Sequence, residues 1–568
     1  MGLFLIKEAM SLQPAPVATP PLALPTSGGP LSLGLAGVAI AVALLLAAPM
    51  LSVLATALDA GSGGTWTHLA GTVLPDYVYN TLWLCTGVAL GVFGLGVGSA
   101  WLVTRYEFAG RRVFEWALVL PLAMPAYVMA YVYTDLLQFT GPLQTGLRAA
   151  FGWGRADYWF PEVRSLGGAV AMLSLALYPY VYMLARTAFI ERAGGMVEVG
   201  RSLGLSPAAA FWRLSLPLAR PAIAGGVALA LMETLADFGT VAYFALPTFT
   251  TGIYRAWFSL GDRAAAAQLA LTLLAFVVAV LALERASRGH ARFHDTGARR
   301  QPAPRLPLST GRGLLAALGC ALPLAGGFAL PGALLLRLTL TGGDEQFGPR
   351  FATLAWHSVT LAGLAAGCAV LLALLLAYAA RTHRGASTRL AHRVGSLGYA
   401  LPGTVIAVGV LIPVTRLDHA LAAAVYAAFG WNPGLIVTGS IAALVYACVV
   451  RYLAAALQSV DAGLARITPV MDDAARSLGH SPAEALWRVH LPLLRGSLLT
   501  AALLVFIDVM KELPATLVMR PFNFDTLATQ AYTLASDERL AEASTAALAI
   551  VAVGLAPVIV LCRRIARK

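Results

Sequence analysis

Glu198–Arg220 reads EVGRSLGLSPAAAFWRLSLPLAR, and Asp473–Arg495 reads DAARSLGHSPAEALWRVHLPLLR. The two align without a gap at an offset of 275 residues (473 − 198), and 14 of the 23 positions are identical. A repeat of this length makes the chain two copies of one unit, each presenting the same element to something outside. A second match supports this. Leu122–Val128 (LAMPAYV) aligns with Tyr399–Val405 (YALPGTV) at an offset of 277 (399 − 122), which pairs Pro125 with Pro402.

Around these landmarks the chain is apolar. Of 568 residues, 58% are hydrophobic and 12% charged, against about 25% charged in soluble domains. Mean hydropathy is +0.74. Apolar runs long enough to span a bilayer fall at roughly 32–56, 80–104, 114–138, 166–188, 221–246 and 266–284. Six more fall at roughly 313–338, 355–379, 395–415, 434–457, 497–519 and 543–562. The expected fold is an all-α integral membrane protein with about 12 transmembrane helices in two halves of six. A flexible tail occupies 1–30, the halves 31–284 and 313–568, and an Arg-rich linker 285–312. An even number of spans per half inserts both halves in the same sense, as parallel repeats.

Net charge is +12, and lysine occurs only at Lys7, Lys511 and Lys568. Arginine gathers in alternate connections, including Arg105–Arg112, Arg192–Arg220, the linker, Arg381–Arg393 and the C-terminus, while 57–79 has neither Lys nor Arg. The positive-inside rule then puts both termini and both repeated elements in the cytoplasm. Basic charge spread in this way faces an anionic leaflet rather than nucleic acid. Five scattered cysteines without a CxxC pair exclude a disulfide framework and a cysteine metal site. No GxxxxGK[ST] occurs, so neither ATP hydrolysis nor a bound cofactor is expected of this chain. Tyr131, Tyr133 and Asp135 at the end of the third run read as interfacial anchors.

Each repeated element reads as a helix–turn–helix. Met196–Leu203 and Asp472–Leu478 form a first short helix. Gly204 and Gly479 supply the left-handed residue after it. Ser206-Pro207 and Ser481-Pro482 start a second helix, with Glu484 completing a capping box in the second copy. Leu216-Pro217 and Leu491-Pro492 are expected to end it, because proline disfavours helix in the residue before it.

Five charges fall in or beside the fifth and eleventh runs: Glu233, Asp237, Asp508, Lys511 and Glu512. At the 275 offset Glu233 matches Asp508 and Asp237 matches Glu512. A charge at the bilayer centre costs about 3 kcal/mol or more. Residues four apart share a helix face, so two acidic faces, one from each half, are expected to meet near the pseudo-two-fold axis. They read either as a cation-accepting pathway or gate, or as a structural network. In the network, Lys511, next to Glu512, neutralises a carboxylate, and Thr234, Thr240 or Thr516 hydrogen-bond the others.

The spacing Glu-Ala-Ala, three residues, Gly, an apolar stretch and Leu-Pro resembles the coupling motif of importer-type ABC transporter permeases. Glu198-Val199-Gly200 departs from it at the alanines and Asp473-Ala474-Ala475 at the acid. Glu233–Thr240 (ETLADFGT), Asp508–Thr516 (DVMKELPAT) and Thr250–Phe258 (TTGIYRAWF) look like the fused, two-in-one permeases of ferric-iron importers. The resemblance implies a type I importer permease in the bacterial inner membrane. It implies two copies of an ABC ATPase, carrying ATP-Mg, docked on the repeated elements, and a periplasmic solute-binding protein delivering ferric iron. The implied coupling residues are Glu198, Gly200, Arg201, Gly204, Ser206, Pro207, Phe211, Arg213 and Pro217 in the first copy. In the second they are Asp473, Ala474, Ala475, Arg476, Gly479, Ser481, Pro482, Arg488 and Pro492. Thiamine, phosphonate and polyamine importers have similar permeases. The reading of a different class is a secondary transporter with two six-helix halves, which needs no paired docking element.

Overall fold

The structure is a computed structural model that describes residues 30–58, 63–191, 200, 202, 204–288, 305–342, 348–383 and 385–566. The tail expected at 1–30 (except Pro30), the linker at 289–304, and Glu198 and Arg201 lie outside the described residues. Among those residues, eleven helices are long and apolar enough to cross a membrane. A bent pair, Arg111–Ala123 with Ala126–Phe151 at 93°, makes a twelfth. The all-helical, twelve-span expectation holds.

The bend follows from Pro125. Its ring keeps Met124 extended (φ −95°, ψ 113°) between a 3₁₀ turn, Leu120–Ala123, and the helix that starts at Ala126. Pro402 does the same to Leu401 (φ −87°, ψ 126°) after the 3₁₀ turn Gly398–Ala400. A further duplication becomes visible at the ends of these spans. Ala149–Trp153 and Ala427–Trp431 both read AAFGW, and Gly152 (φ 67°) and Gly430 (φ 65°) are left-handed helix caps in both copies.

Two span boundaries differ from expectation. The fifth helix is Ala208–Ala236 rather than 221–246, and the eleventh is Pro482–Met510 rather than 497–519. At their far ends the chain breaks and re-forms the short helices Gly239–Tyr243 and Pro514–Met519. Hydropathy does not register that break, because the composition stays apolar across it. At their near ends the helices start at the docking turn and do not stop at Leu216-Pro217 or Leu491-Pro492. Phe211–Ser215 and Leu486–His490 are single π-turns, and Leu216 (φ −66°, ψ −46°) and Leu491 (φ −58°, ψ −45°) stay helical. A π-turn shifts the bonding to i→i+5. That makes room for the proline ring and asks for no proline N–H.

The chain forms two compact units, and neither coincides with a sequence half. One takes the described residues of 1–66, 253–271 and 353–526; the other takes those of 67–252, 272–352 and 527–568. In the first unit the first span, Pro30–Ala57, packs on the ninth, Gly403–Phe429, and on the helix Ala386–Leu397. Gly409 permits this, since a Cβ there would lie 2.4 Å from the Pro49 carbonyl oxygen. Tyr446 donates its hydroxyl to the Leu45 carbonyl. In the second unit the seventh span, Thr310–Gly342, packs on the second, Leu74–Arg105, and on Arg111–Ala117. A two-residue parallel pairing of Leu306–Pro307 with Tyr106–Glu107 leads it there. Tyr133 donates to the Gly326 carbonyl of that span. Tyr131 and Tyr133 are therefore buried (2% and 6% exposed) rather than interfacial. At the centre of the units lie the fourth span, Leu166–Glu191, and the tenth, Ala442–Leu464. Each is 78% buried over its apolar window.

Candidate functional site

The second docking hairpin is described throughout. Its first helix, Pro469–Ser477, ends at Leu478, and Gly479 follows at φ 82°. Ser481 then caps the next helix. Its hydroxyl accepts the Glu484 N–H at 3.3 Å, and the Glu484 carboxylate accepts the Ser481 N–H at 2.8 Å. The capping box read from the sequence is present; such a cap contributes about 1 kcal/mol. The first helix buries Ala475 and exposes Val470, Ala474 and Leu478. These three are four residues apart and so share one face. Leu478 is 76% exposed and Val470 71%. Asp473 and Arg476 pair with each other beside this face, both more than 60% exposed. Arg488 and Pro492 are exposed as well, and Pro482 is half-buried.

The described part of the first hairpin repeats the geometry. Gly204 has φ 85°. Ser206 accepts the Ala209 N–H at 3.2 Å, and the helix starts at Pro207. Arg213 and Pro217 are exposed. Phe211 instead packs inward, 4.9 Å from the Trp101 ring centroid. Gly200 explains one departure from the Glu-Ala-Ala pattern. A Cβ there would meet Leu214 Cδ1 at 2.4 Å. The second copy carries Ala475 at this position together with the shorter Val489 in place of Leu214, so volume is exchanged between two neighbouring positions.

The charged residues do not form two helical acidic faces. Glu233 and Asp237 belong to one unit, and Asp508, Lys511 and Glu512 to the other. Asp237 is the first residue beyond its helix (φ −67°, ψ 131°), so it does not share a helical face with Glu233. Its carboxylate accepts Thr240 N–H and Val241 N–H, both at 3.1 Å, and Thr240 Oγ1 at 3.0 Å. It therefore caps the short helix Gly239–Tyr243. Glu512 likewise lies past the end of its helix at Met510. It accepts Ala515 N–H and Thr516 N–H at 2.9 Å and Thr516 Oγ1 at 2.5 Å. The network reading was right about Thr240 and Thr516. It was wrong about Thr234, which bonds back to Ala230, and right that Lys511 neutralises a carboxylate. Lys511 pairs with Asp508 at 3.1 Å, because three residues back along the last helical turn is closer than the carboxylate beyond the break.

Glu512 is paired instead with Arg451 of the tenth span, at 3.3 Å, with both side chains at most 10% exposed. The sequence reading missed Arg451, although a lone arginine inside an apolar run was a signal. Gly403 makes room for the pair, since its Cβ would meet Arg451 Nη1 at 2.5 Å. Asp418 was missed too. Fully buried, it accepts Ile436, Val437 and Thr438 N–H at 2.7–3.0 Å and Thr438 Oγ1 at 2.6 Å, fixing the loop after the ninth span. A third feature spans the repeat. Glu115 pairs with Arg186 in one unit, and His392 with Asp461 at 2.9 Å in the other. The offsets are 277 (392 − 115) and 275 (461 − 186), so the tie is kept with its carboxylate moved to the other partner.

Comparison with known proteins agrees with this arrangement. Residues 92–288 match the family described as binding-protein-dependent transport system inner membrane component. The Fe(3+)-transport system permease protein FbpB 2 of Haemophilus influenzae is 27% identical over 526 residues, covering 92% of this chain and 96% of that protein. The ferric transport system permease protein FbpB of Actinobacillus pleuropneumoniae is 24% identical over 80% of this chain and 66% of its own length. A probable sulfate transport system permease protein of Chlorokybus atmophyticus is 30% identical over 208 residues, 35% of this chain and 68% of that protein.

Proposed function

We propose, from the premise that the chain belongs to the family of binding-protein-dependent transport system inner membrane components, that it is the fused permease of a ferric-iron importer. The observation that carries the permease reading is the hairpin duplicated in sequence, whose second copy turns the apolar face of Val470, Ala474 and Leu478 outward. A self-powered carrier has no use for such a face. The chain lacks the phosphate-binding loop that ATP hydrolysis needs, so energy comes from two ATPase copies carrying ATP-Mg. Each seats on one hairpin at the cytoplasmic face, where both termini also lie. The coupling residues are those of the two copies set out above, with Phe211 acting by seating its hairpin rather than by contact. A periplasmic binding protein delivers the substrate.

Ferric iron is supported by the relative that matches this chain almost end to end. The test is reconstitution with the cognate ATPase and binding protein. Ferric-loaded binding protein is expected to stimulate ATP hydrolysis at least about fivefold more than thiamine-loaded protein. Equal stimulation by both would reject iron and leave the permease reading standing.

For the pathway or gate, the residues that remain are Glu233 and the Asp508–Lys511 pair, since Asp237 and Glu512 cap helices. Glu233→Ala with Asp508→Ala is expected to lower uptake about tenfold or more, with ATPase binding unchanged. Full uptake in the double variant assigns these carboxylates to structure alone.

A further inference from the structure

We propose that Asp472, Arg381 and His490 form a clasp that transmits the position of the second docking helix to the spans. This rests on the docking role assigned above. Asp472 is not the acid of the repeated pattern but the residue before it. Its Oδ2 accepts Arg381 Nε at 3.0 Å and Nη2 at 2.7 Å. Its Oδ1 lies 2.7 Å from Nε2 of His490, which is 1% exposed. Arg381 also donates to the carbonyls of Leu464 at 3.0 Å and Ile467 at 2.8 Å. Tyr378 donates to the Pro482 carbonyl at 2.6 Å, and its ring centroid is 5.4 Å from that of His490.

One guanidinium in the last turn of the eighth span, Pro349–Thr382, thus holds the end of the tenth span, the entry to the docking helix and the helix itself. His490 adds the π-turn of the eleventh. Two guanidinium donors converge on Oδ2 while Oδ1 faces His490, so both oxygens of the Asp472 carboxylate are held. The docking helix therefore cannot shift without carrying these spans along.

The repeat places different residues in the first unit. Val197, Thr104, Ser215 and Trp101 stand where Asp472, Arg381, His490 and Tyr378 stand (472 − 275, 381 − 277, 490 − 275, 378 − 277). Valine cannot take part in an ion pair. Trp101 instead packs tilted against Phe211 at 4.9 Å and edge-to-face against Phe189 at 5.4 Å. Arg381, Asp472 and His490 are positioning residues; none of them touches substrate.

The test uses the full chain with its ATPase and ferric-loaded binding protein in proteoliposomes. In Asp472→Asn and Arg381→Gln, ATP hydrolysis is expected to stay within about twofold of wild type while iron taken up per ATP falls about tenfold. The double variant should be no worse than either single one. Arg381→Lys, which cannot reach Asp472, Leu464 and Ile467 together, should fall between. Uptake and hydrolysis lost in proportion would overturn the clasp, since that is what a merely misfolded hairpin gives. Hydrogen exchange on the permease alone separates this claim from the docking reading. Amides of 469–480 should exchange about tenfold faster in the variants. Unchanged exchange rejects the clasp even where the ATPase binds, whereas faster exchange with no ATPase binding by wild type rejects the docking reading alone.

Discussion

Glu512→Ala is expected to leave little folded protein. The carboxylate is 3% exposed and sits 3.3 Å from Arg451, itself 8% exposed. Removing one partner of a buried ion pair costs about 3–5 kcal/mol, because the remaining charge loses its compensation. The same substitution takes the acceptor from Ala515 N–H, Thr516 N–H and the Thr516 hydroxyl. Loss of a helix cap adds about 1 kcal/mol. Against a total stability of about 5–15 kcal/mol, the sum is severe. The check is thermal unfolding in detergent together with yield from the membrane. Arg451→Met in the Glu512→Ala background should recover most of the yield, since replacing both members of a buried pair by apolar groups is often neutral. The cap deficit should persist as a lowered Tm. A single variant with wild-type Tm and yield would falsify the account of this pair.

The second large effect is expected at the docking face. Leu478 is 76% exposed and caps the helix Pro469–Ser477, so Leu478→Asp should cost folding only about 0.3–1 kcal/mol, from a negative charge at a helix C-terminus. Inside an interface the same aspartate is desolvated without a partner. That costs about 2–5 kcal/mol, or about 30-fold to several thousand-fold in affinity. Leu203 is its repeat counterpart (478 − 275). The double variant Leu203→Asp with Leu478→Asp should not copurify with the ATPase, while its Tm is retained. Each single variant should keep one ATPase site. Undiminished copurification of the double variant would remove the hairpins from the energy-coupling role.

Much of this was legible because it depends on local chemistry. The Gly204 and Gly479 caps and the Ser481–Glu484 capping box are set by residues within a few positions of each other. Sequence periodicity therefore reached them. The π-turns were not legible, because the rule that proline ends a helix assumes regular α bonding. The roles of the acids were only half legible. A four-residue spacing implies a shared face only while the helix continues, and the helices stop at Ala236 and Met510. What then binds Asp237 and Glu512 is the amide groups of the next short helix.

Amino-acid order by itself determined the duplication, the number of spans and the shape of the docking hairpins, since these follow from repeated residues, hydropathy and cap chemistry. The tertiary structure decided which residues hold the hairpins. Asp472 is held by Arg381, 91 residues away along the chain (472 − 381), and Glu512 by Arg451, 61 residues away (512 − 451). It also decided that the first span packs with the second half of the sequence and the seventh with the first half. Gly409 and the strand pair at Tyr106–Glu107 permit those contacts, but neither carries a sign in the sequence of the partner it will meet. Pairing across such distances is chosen by packing and by the cost of leaving a buried charge alone, and both exist only once the spans are side by side.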